Sequence, residues 1–493
     1  MKKLQLSFLI LLLCYSLFGV KLRLHYTNDT HGASLPREYT SETGKICLGG
    51  YASLEYALER SRKEAPRSIW LDAGDQQTGT AFAARKYKGA IGGAVVEVFN
   101  RLALDATTFG NHEFDQTVAN LDRLKKLAKY PYLSANLIRK SDFTTYGDRP
   151  YTIIKTDSLS IGVIGLTLTE LPEKVKAENV AFLNILPYKA AVNRYLDELD
   201  TKTDLIVLLT HLGLPADSLL ATQLDDRVDL IVGGHSHDWL ETPLRVNGIY
   251  ICTAASYLAL LGRLDLEVVD DRIVSLDNLL IRLTPPPAEY SSPLTRFVND
   301  IETRINKELD QVIGTIPEDW IPDKFKETPL SIWMAQALMR EYAKKLHPDL
   351  AILNLGGFRK NLPKGDITLR DMQELIPFNN YVVTFTAIGE DIVKFFELNE
   401  GNRMTKPYDI CQTSAKGWIT HYCKEGWEDH IREPELDLGD EIMDPKKTYT
   451  IISHDYIAGQ WQKYLGFEPK NLKETNDLVL DAMIRQVRKQ FGK

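Results

Sequence analysis

Between residues 20 and 283, short β-branched runs alternate with amphipathic stretches of helical period, and few architectures accommodate that alternation. Strand candidates lie at 22–26, 69–71, 106–108, 132–134, 161–166, 205–210 and 230–232, with later runs at 250–253 and 264–269. Helical stretches at 50–63, 93–102 and 118–128 fall between them. A helix inserted between successive strands lets them pair in parallel with helices covering the sheet. The pattern therefore predicts a layered α/β domain over residues 20–283.

The pattern breaks at Pro285-Pro286-Pro287, which can continue neither a helix nor a ladder and favours an extended spacer. A polar helical stretch at 293–309 follows. We expect a spacer and connecting helix over 284–311 and a second domain over 312–493. Within it Thr328-Pro329 reads as a helix start, with Thr as cap and Pro at the first helical position. Ile332, Ala335, Leu338, Met339 and Tyr342 then recur at helical spacing, a stripe that reads as core packing.

Residues 1–19 read as an export signal. Lys2 and Lys3 precede a largely apolar run at 4–13, and small or semi-polar residues follow (Cys14, Ser16, Gly19). The run is short for a membrane span. The expectation is an exported protein, periplasmic or extracellular, in an oxidising setting where Cys411 and Cys423 could close a small loop.

Composition narrows the partners. Lys+Arg number 59 against 67 Asp+Glu, a formal net charge of -8. Without a dense basic stretch the chain is a poor binder of nucleic-acid polymers. Small anionic substrates remain open, because a bound metal ion can override the global charge locally. Nothing in the sequence calls for an obligate protein partner.

The chemistry-bearing residues gather at the ends of the strand candidates. Asp29 and His31 follow 22–26, and a spacing of two would put both side chains on one side of an extended backbone. Asp75 ends Asp72-Ala73-Gly74-Asp75. Asn111 and His112 lie in Gly110-Asn111-His112-Glu113-Phe114-Asp115. His211 ends 205–210, and His235 and His237 lie in Gly233-Gly234-His235-Ser236-His237. Open α/β sheets place their sites at the carboxyl ends of strands. The chain has only 10 His, and five of them fall in these short motifs, most of which carry glycine. Nitrogen and carboxylate ligands without thiolate suit Zn, Mn, Fe or Co. Because the set exceeds one tetrahedral shell, two divalent ions sharing a bridging carboxylate is the economical arrangement. Such a pair polarises a phosphoryl oxygen and activates a water for in-line attack.

Asp-Thr-His, Gly-Asp, Gly-Asn-His-Glu-Phe-Asp, Thr-His-Leu-Gly and Gly-Gly-His-Ser-His, in this order, resemble the calcineurin-like metallophosphoesterase signature. Over nearly the whole mature chain the pattern is similar to the exported 5′-nucleotidase and UDP-sugar hydrolase family. The resemblance implies a four-layer α/β/β/α catalytic domain and a C-terminal α/β substrate-binding domain. It implies that Asp29, His31 and His237 hold one ion, that Asn111, His211 and His235 hold the other, and that Asp75 bridges them. His112 would face the phosphate and stabilise charge or protonate the leaving oxygen, with Asp115 orienting it; the alternative for Asp115 is a helix N-cap. Glu113 and Asp72 read as structural.

The second domain matches more loosely. Asn354-Leu355-Gly356-Gly357-Phe358-Arg359 resembles the family's Asn-Gly-Gly-Gly-x-Arg loop, with Leu355 replacing a glycine and Arg359 as an anion clamp. Tyr456 matches one of two aromatics that stack a nucleobase. The matching stretch for the other offers Ile410, with Tyr408 nearby. The family's Gly-Gly-Asp-Gly segment is replaced by Gly459-Gln460-Trp461-Gln462, so the aspartate that would bind ribose is absent. Trp461 and Trp418 read as packing residues. The implied activity is hydrolysis of a phosphoester, nucleotides first among the substrates. A 2′,3′-cyclic nucleotide or a non-nucleotide phosphoester on the same scaffold, and a non-catalytic exported binding protein with structural metals, stand as alternatives.

Overall fold

The computed structural model describes residues 19–41, 44–65, 68–324, 326–400, 411–414, 437–438 and 441–492. The Cys411–Cys423 pairing, Tyr408, Ile410, Trp418 and residues 1–18 lie outside them. The chain divides into two units, Met1–Glu302 and Thr303–Lys493.

Two six-stranded sheets form the first unit. One contains β1 (Val20–Thr27), β2 (Ile69–Asp72), β3 (Ala106–Thr108) and β4 (Tyr132–Leu133) in parallel. The other contains β5 (Tyr151–Lys155), β6 (Ser160–Thr167), β7 (Leu205–His211), β8 (Leu230–Gly233), β9 (Leu244–Val246) and β10 (Ile249–Cys252). Here β6, β7, β8 and β10 pair in parallel, with β5 and β9 antiparallel at the edges. The hairpin β11 (Leu260–Val269) and β12 (Arg272–Arg282) closes the first sheet against β1.

Period-two alternation decides what each sheet face meets. From β1, Leu22, Leu24 and Tyr26 point into a core shared with Val207, Leu209, Leu230 and Val232 of the second sheet. The intervening His25 faces the other way and bonds Ser61 of the helix Tyr51–Glu64. Trp70 of β2 likewise stacks on Phe99 of the helix Gly93–Arg101 at 5.3 Å. The second sheet is covered by Tyr188–Asp200, whose Ala191, Val192, Leu196 and Leu199 are buried. The result is the layered α/β/β/α arrangement that the alternation and the resemblance imply.

In the second unit a five-stranded sheet runs Cys411–Ser414, Leu350–Leu353, Thr448–His454, Tyr381–Ile388, Lys470–Leu478. Ala351, Leu353 and Ile452 face the helices Pro329–Leu346 and Val479–Phe491. Leu350, Ile352 and Ile451 face the opposite core with Phe395, Ile457 and Tyr464. Thr328 caps Pro329–Leu346 in a reciprocal box with Ser331. Of the stripe, Ala335, Leu338, Met339 and Tyr342 are buried and Ile332 is half-buried; Trp461 packs against the sheet core.

Candidate metal centre

The carboxyl ends of β1, β2, β3, β7 and β8 meet at one buried cluster. His31 Nε2 lies 3.2 Å from His237 Nε2. His237 Nε2 lies 3.5 Å from Asp29 Oδ1, and His211 Nε2 lies 3.2 Å from Asp75 Oδ2. Ligand atoms of Asp29, His31 and His237 fall within 4.8 Å of one another, and so do those of Asp75, His211 and His235. The first group has the three residues expected for one ion; the second joins His211 and His235, expected for the other, to Asp75. A third group of the same compactness joins His31, Asp75 and His112.

Backbone contacts aim the rings. His211 Nδ1 donates to the Ala73 carbonyl at 2.7 Å and His31 Nδ1 to that of Thr78 at 3.0 Å. Each contact thereby turns Nε2 toward the cluster, the way an outer partner orients a ligating imidazole. The expectation that Asp29 and His31 share a side of an extended backbone is corrected. Both adopt φ +49°, and Asp75, His235 and His237 are also left-handed. Residues other than glycine take this conformation uncommonly, and a cluster of five at one place points to surroundings that hold it. The loops are over-determined by close approach: a Cβ on Gly110 would lie 2.1 Å from Asp75 Oδ1.

The donor set fits divalent cations. Asn111 Oδ1 and His211 Nε2 are buried with no hydrogen-bond partner, the His211–Asp75 approach being off hydrogen-bond geometry. Burial together with the neighbouring Asp75 charge pushes Asp29 up to about 7. Burial opposes ionisation of Asp75 too, but His211, His112 and His31 outweigh it and hold that carboxyl well below its usual range. Burial also disfavours the His211 imidazolium, yet Asp75 and Asp29 with the Ala73 carbonyl hold it up to about 10. His235 is pushed down to about 3 by burial and the His211 charge. Facing carboxylates and imidazoles so unevenly strained in charge are what a shared cation relieves.

His112 stands beside the cluster, its ring 5.1 Å from that of His31 and its Nε2 4.0 Å from Asp75 Oδ2. Its Nδ1 bonds Asp115 Oδ2 at 2.6 Å. The alternative of Asp115 as helix cap is overturned: Thr117 caps Val118–Leu127, its side chain accepting from the Asn120 N–H. Asp72 accepts from Thr27, Gln76, Gly74 and Thr107, and lies wholly buried beneath the loops.

Arg359 and Tyr456 belong to the second unit. They follow Leu350–Leu353 and Thr448–His454, which pair in parallel, and His454 Nε2 bonds Asn354 Oδ1 between the two loops at 2.9 Å. The Arg359 guanidinium lies over Phe378 at 5.3 Å, and its Nε is buried without a hydrogen-bond partner. Tyr456 stacks near-parallel to His454 at 6.2 Å.

Sequence reasoning missed Tyr257. Its ring packs on His31 at 4.8 Å and lies 6.2 Å from that of His237. The available signal was its place in the loop after β10, another parallel strand end.

Residues 22–239 match the calcineurin-like phosphoesterase family model, and 312–468 match the 5′-nucleotidase C-terminal domain model. The chain is 24% identical to an apyrase of Tabanus yao over 89% of this chain and 85% of that protein. It is 28% identical to the human 5′-nucleotidase over 76% of this chain and 71% of that one. In fold it is similar to a 5′-nucleotidase precursor from Thermus thermophilus, with TM-score 0.78 and 22% identity, covering 95% of this chain and 96% of that one.

Proposed function

Because the chain belongs to the calcineurin-like phosphoesterases with a 5′-nucleotidase C-terminal domain, and is thus a metal-dependent phosphoester hydrolase, we propose that it is exported and hydrolyses nucleotides or related small phosphoesters. The observation that carries the site is the convergence of Asp29, His31, Asp75, His211, His235 and His237, with Asn111 beside His112, whose N–H donates to Asp75 Oδ1, and with Asn111 Oδ1 and His211 Nε2 buried without hydrogen-bond partners. Asp29, His31 and His237 would hold one divalent ion, Asn111, His211 and His235 the second, with Asp75 shared. Zn, Mn, Fe or Co suits the donors. Such ions supply Lewis acidity toward the phosphoryl group and the attacking water.

The residues do the rest. His112, tethered by Asp115, presents Nε2 as proton donor to the leaving oxygen, a role suited to an imidazole held by a carboxylate. In the second unit, Arg359 is a planar clamp for an anionic group and Tyr456 a stacking face for a base. Export is supported by Lys2, Lys3 and the apolar run at 4–13. Among the described residues no helix is long and apolar enough to cross a membrane.

A second reading, a phosphoester lacking ribose, is favoured by Gln460 and Trp461 standing where the family carries its ribose-binding segment. Phosphate release from a panel of nucleoside monophosphates, UDP-sugars, 2′,3′-cyclic nucleotides and simple alkyl phosphates tests both. It is measured after chelation and after adding back single divalent ions. Release that survives full chelation overturns the metal assignment. Release confined to alkyl phosphates overturns nucleotides as substrate.

A further inference from the structure

The Tyr257 ring packs against two side chains. Its centroid lies 4.8 Å from that of His31 with an interplanar angle of 36°, and the Arg37 guanidinium lies over it, 3.7 Å from the ring centroid. Both neighbours of the ring are anchored to consecutive carbonyls: His31 Nδ1 on Thr78 and Arg37 on Gly79. Gly79 is required between them. At φ +121° a Cβ there would come within 2.9 Å of His31 Cβ and 3.3 Å of Tyr257 Cε1.

The loop that carries Tyr257 is itself forced into place. Ala255, Tyr257 and Leu258 all have positive φ, an unfavourable run for non-glycine residues. It is pinned to the strand end that bears Asp29: the Tyr257 N–H donates to the Asp29 carbonyl at 2.8 Å, and Asn28 Oδ1 accepts from Ala254 N–H at 2.8 Å. Strain of this kind persists where the surroundings hold a side chain for a purpose.

We propose that Tyr257, packed against both Arg37 and His31, is a positioning residue that holds the imidazoles of His31 and His237 in ligating orientation for the ion they share with Asp29. A hydrogen bond at Nδ1 alone leaves an imidazole free to swing about that bond. A flat ring against its face removes the remaining freedom, and the edge-on contact at 86° does the same for His237. The Arg37 guanidinium over the ring adds a cation–π attraction that helps fix the tyrosine. The inference rests on the ligand assignment above.

Its test is titration of the metal-free full chain with Mn²⁺ by calorimetry, comparing wild type, Tyr257→Phe, Tyr257→Ala, Tyr257→Leu and His31→Ala. Tyr257→Phe keeps the flat face and should bind both ions within about twofold of wild type. Tyr257→Ala should weaken one site by about 10- to 100-fold and leave the other unchanged, the effect expected when an outer partner of a ligand is lost. Tyr257→Leu keeps the bulk without the flat ring, covers the case in which the alanine variant does not fold, and should behave as the alanine variant does. His31→Ala should lose the same site. Loss in His31→Ala with unchanged affinity in Tyr257→Ala and Tyr257→Leu, or equal weakening of both sites, overturns the role of Tyr257. Two unchanged sites in His31→Ala instead overturn the ligand assignment.

Discussion

Glu113 holds the backbone of Asp75: its Oε2 accepts the Asp75 N–H at 3.0 Å. The same carboxylate takes Gly110 N–H at 2.7 Å, Gln76 N–H at 2.8 Å and Gln77 N–H at 3.2 Å. It thereby ties the loop of Asp75 to the loop of Asn111 and His112, and it is buried. Glu113→Gln replaces one acceptor oxygen by an NH₂ that faces N–H groups. Leaving buried donors unmet costs about 1–3 kcal/mol each, so we expect a loss of about 3 kcal/mol in denaturant unfolding. Turnover should fall with it, as Asp75 loses its support.

His112→Ala should lower kcat by about 10²- to 10⁴-fold, the usual contribution of a general acid. Metal content and unfolding midpoint should stay at wild-type values, because the ring is not among the seven assigned ligands. Asp115→Asn should give a smaller loss, since an acceptor remains for Nδ1 but the charge does not. Phosphate release with parallel metal analysis reads this, and wild-type turnover in His112→Ala would remove His112 from the reaction.

His25 sets an acid limit far from the cluster. It is buried under the helix Tyr51–Glu64, and burial with the Arg62 and Arg23 charges pushes its pKa down to about 3. The folded state thus binds this proton more weakly than the unfolded chain, where the value is about 6.5. Its contribution is complete above about pH 6.5 and is lost as pH falls toward 3. The full span corresponds to roughly 3–5 kcal/mol. Unfolding free energies measured across pH 3–7 should show a shallower acid slope in His25→Gln than in wild type.

Asp229 works in the opposite sense. Burial, with the nearby Asp271 and Asp200 charges, pushes its carboxyl up to about 7 while it accepts the Ile206 N–H at 2.9 Å. The folded state favours the protonated form, so the Asp229 contribution to stability is greatest below about pH 4 and declines as pH rises to about 7. Asp229→Asn keeps an acceptor for Ile206 without the charge. It should match wild type near pH 4 and exceed it by about 1–3 kcal/mol at pH 8 in thermal or denaturant unfolding.

Much of the fold is legible because strand and helix periods are local. The strand predicted at 106–108 is observed as Ala106–Thr108, and 205–210 as Leu205–His211. Thr328 caps its helix as its side chain and the following proline dictate. The candidate cluster was legible as residue types at strand ends. Its geometry was not: Asp29 and His31 converge through left-handed backbone rather than an extended one. Asp115 shows the same limit, since a carboxylate before a helix could cap it or reach His112, and only the observed Thr117 cap separates the two.

The amino-acid sequence alone determined the α/β layering, the set of nitrogen and oxygen donors, and their places at strand ends, because each depends on periodicity or chemistry within a few residues. Tertiary structure decided which atoms meet. Glu113 joining two loops, Tyr257 packing on His31, and Asn111 Oδ1 and His211 Nε2 buried without hydrogen-bond partners all arise where two sheets pack and distant strand ends are brought together. No local pattern encodes such contacts, since each loop's conformation is set by others far along the chain, as far as the 206 residues that separate His31 from His237.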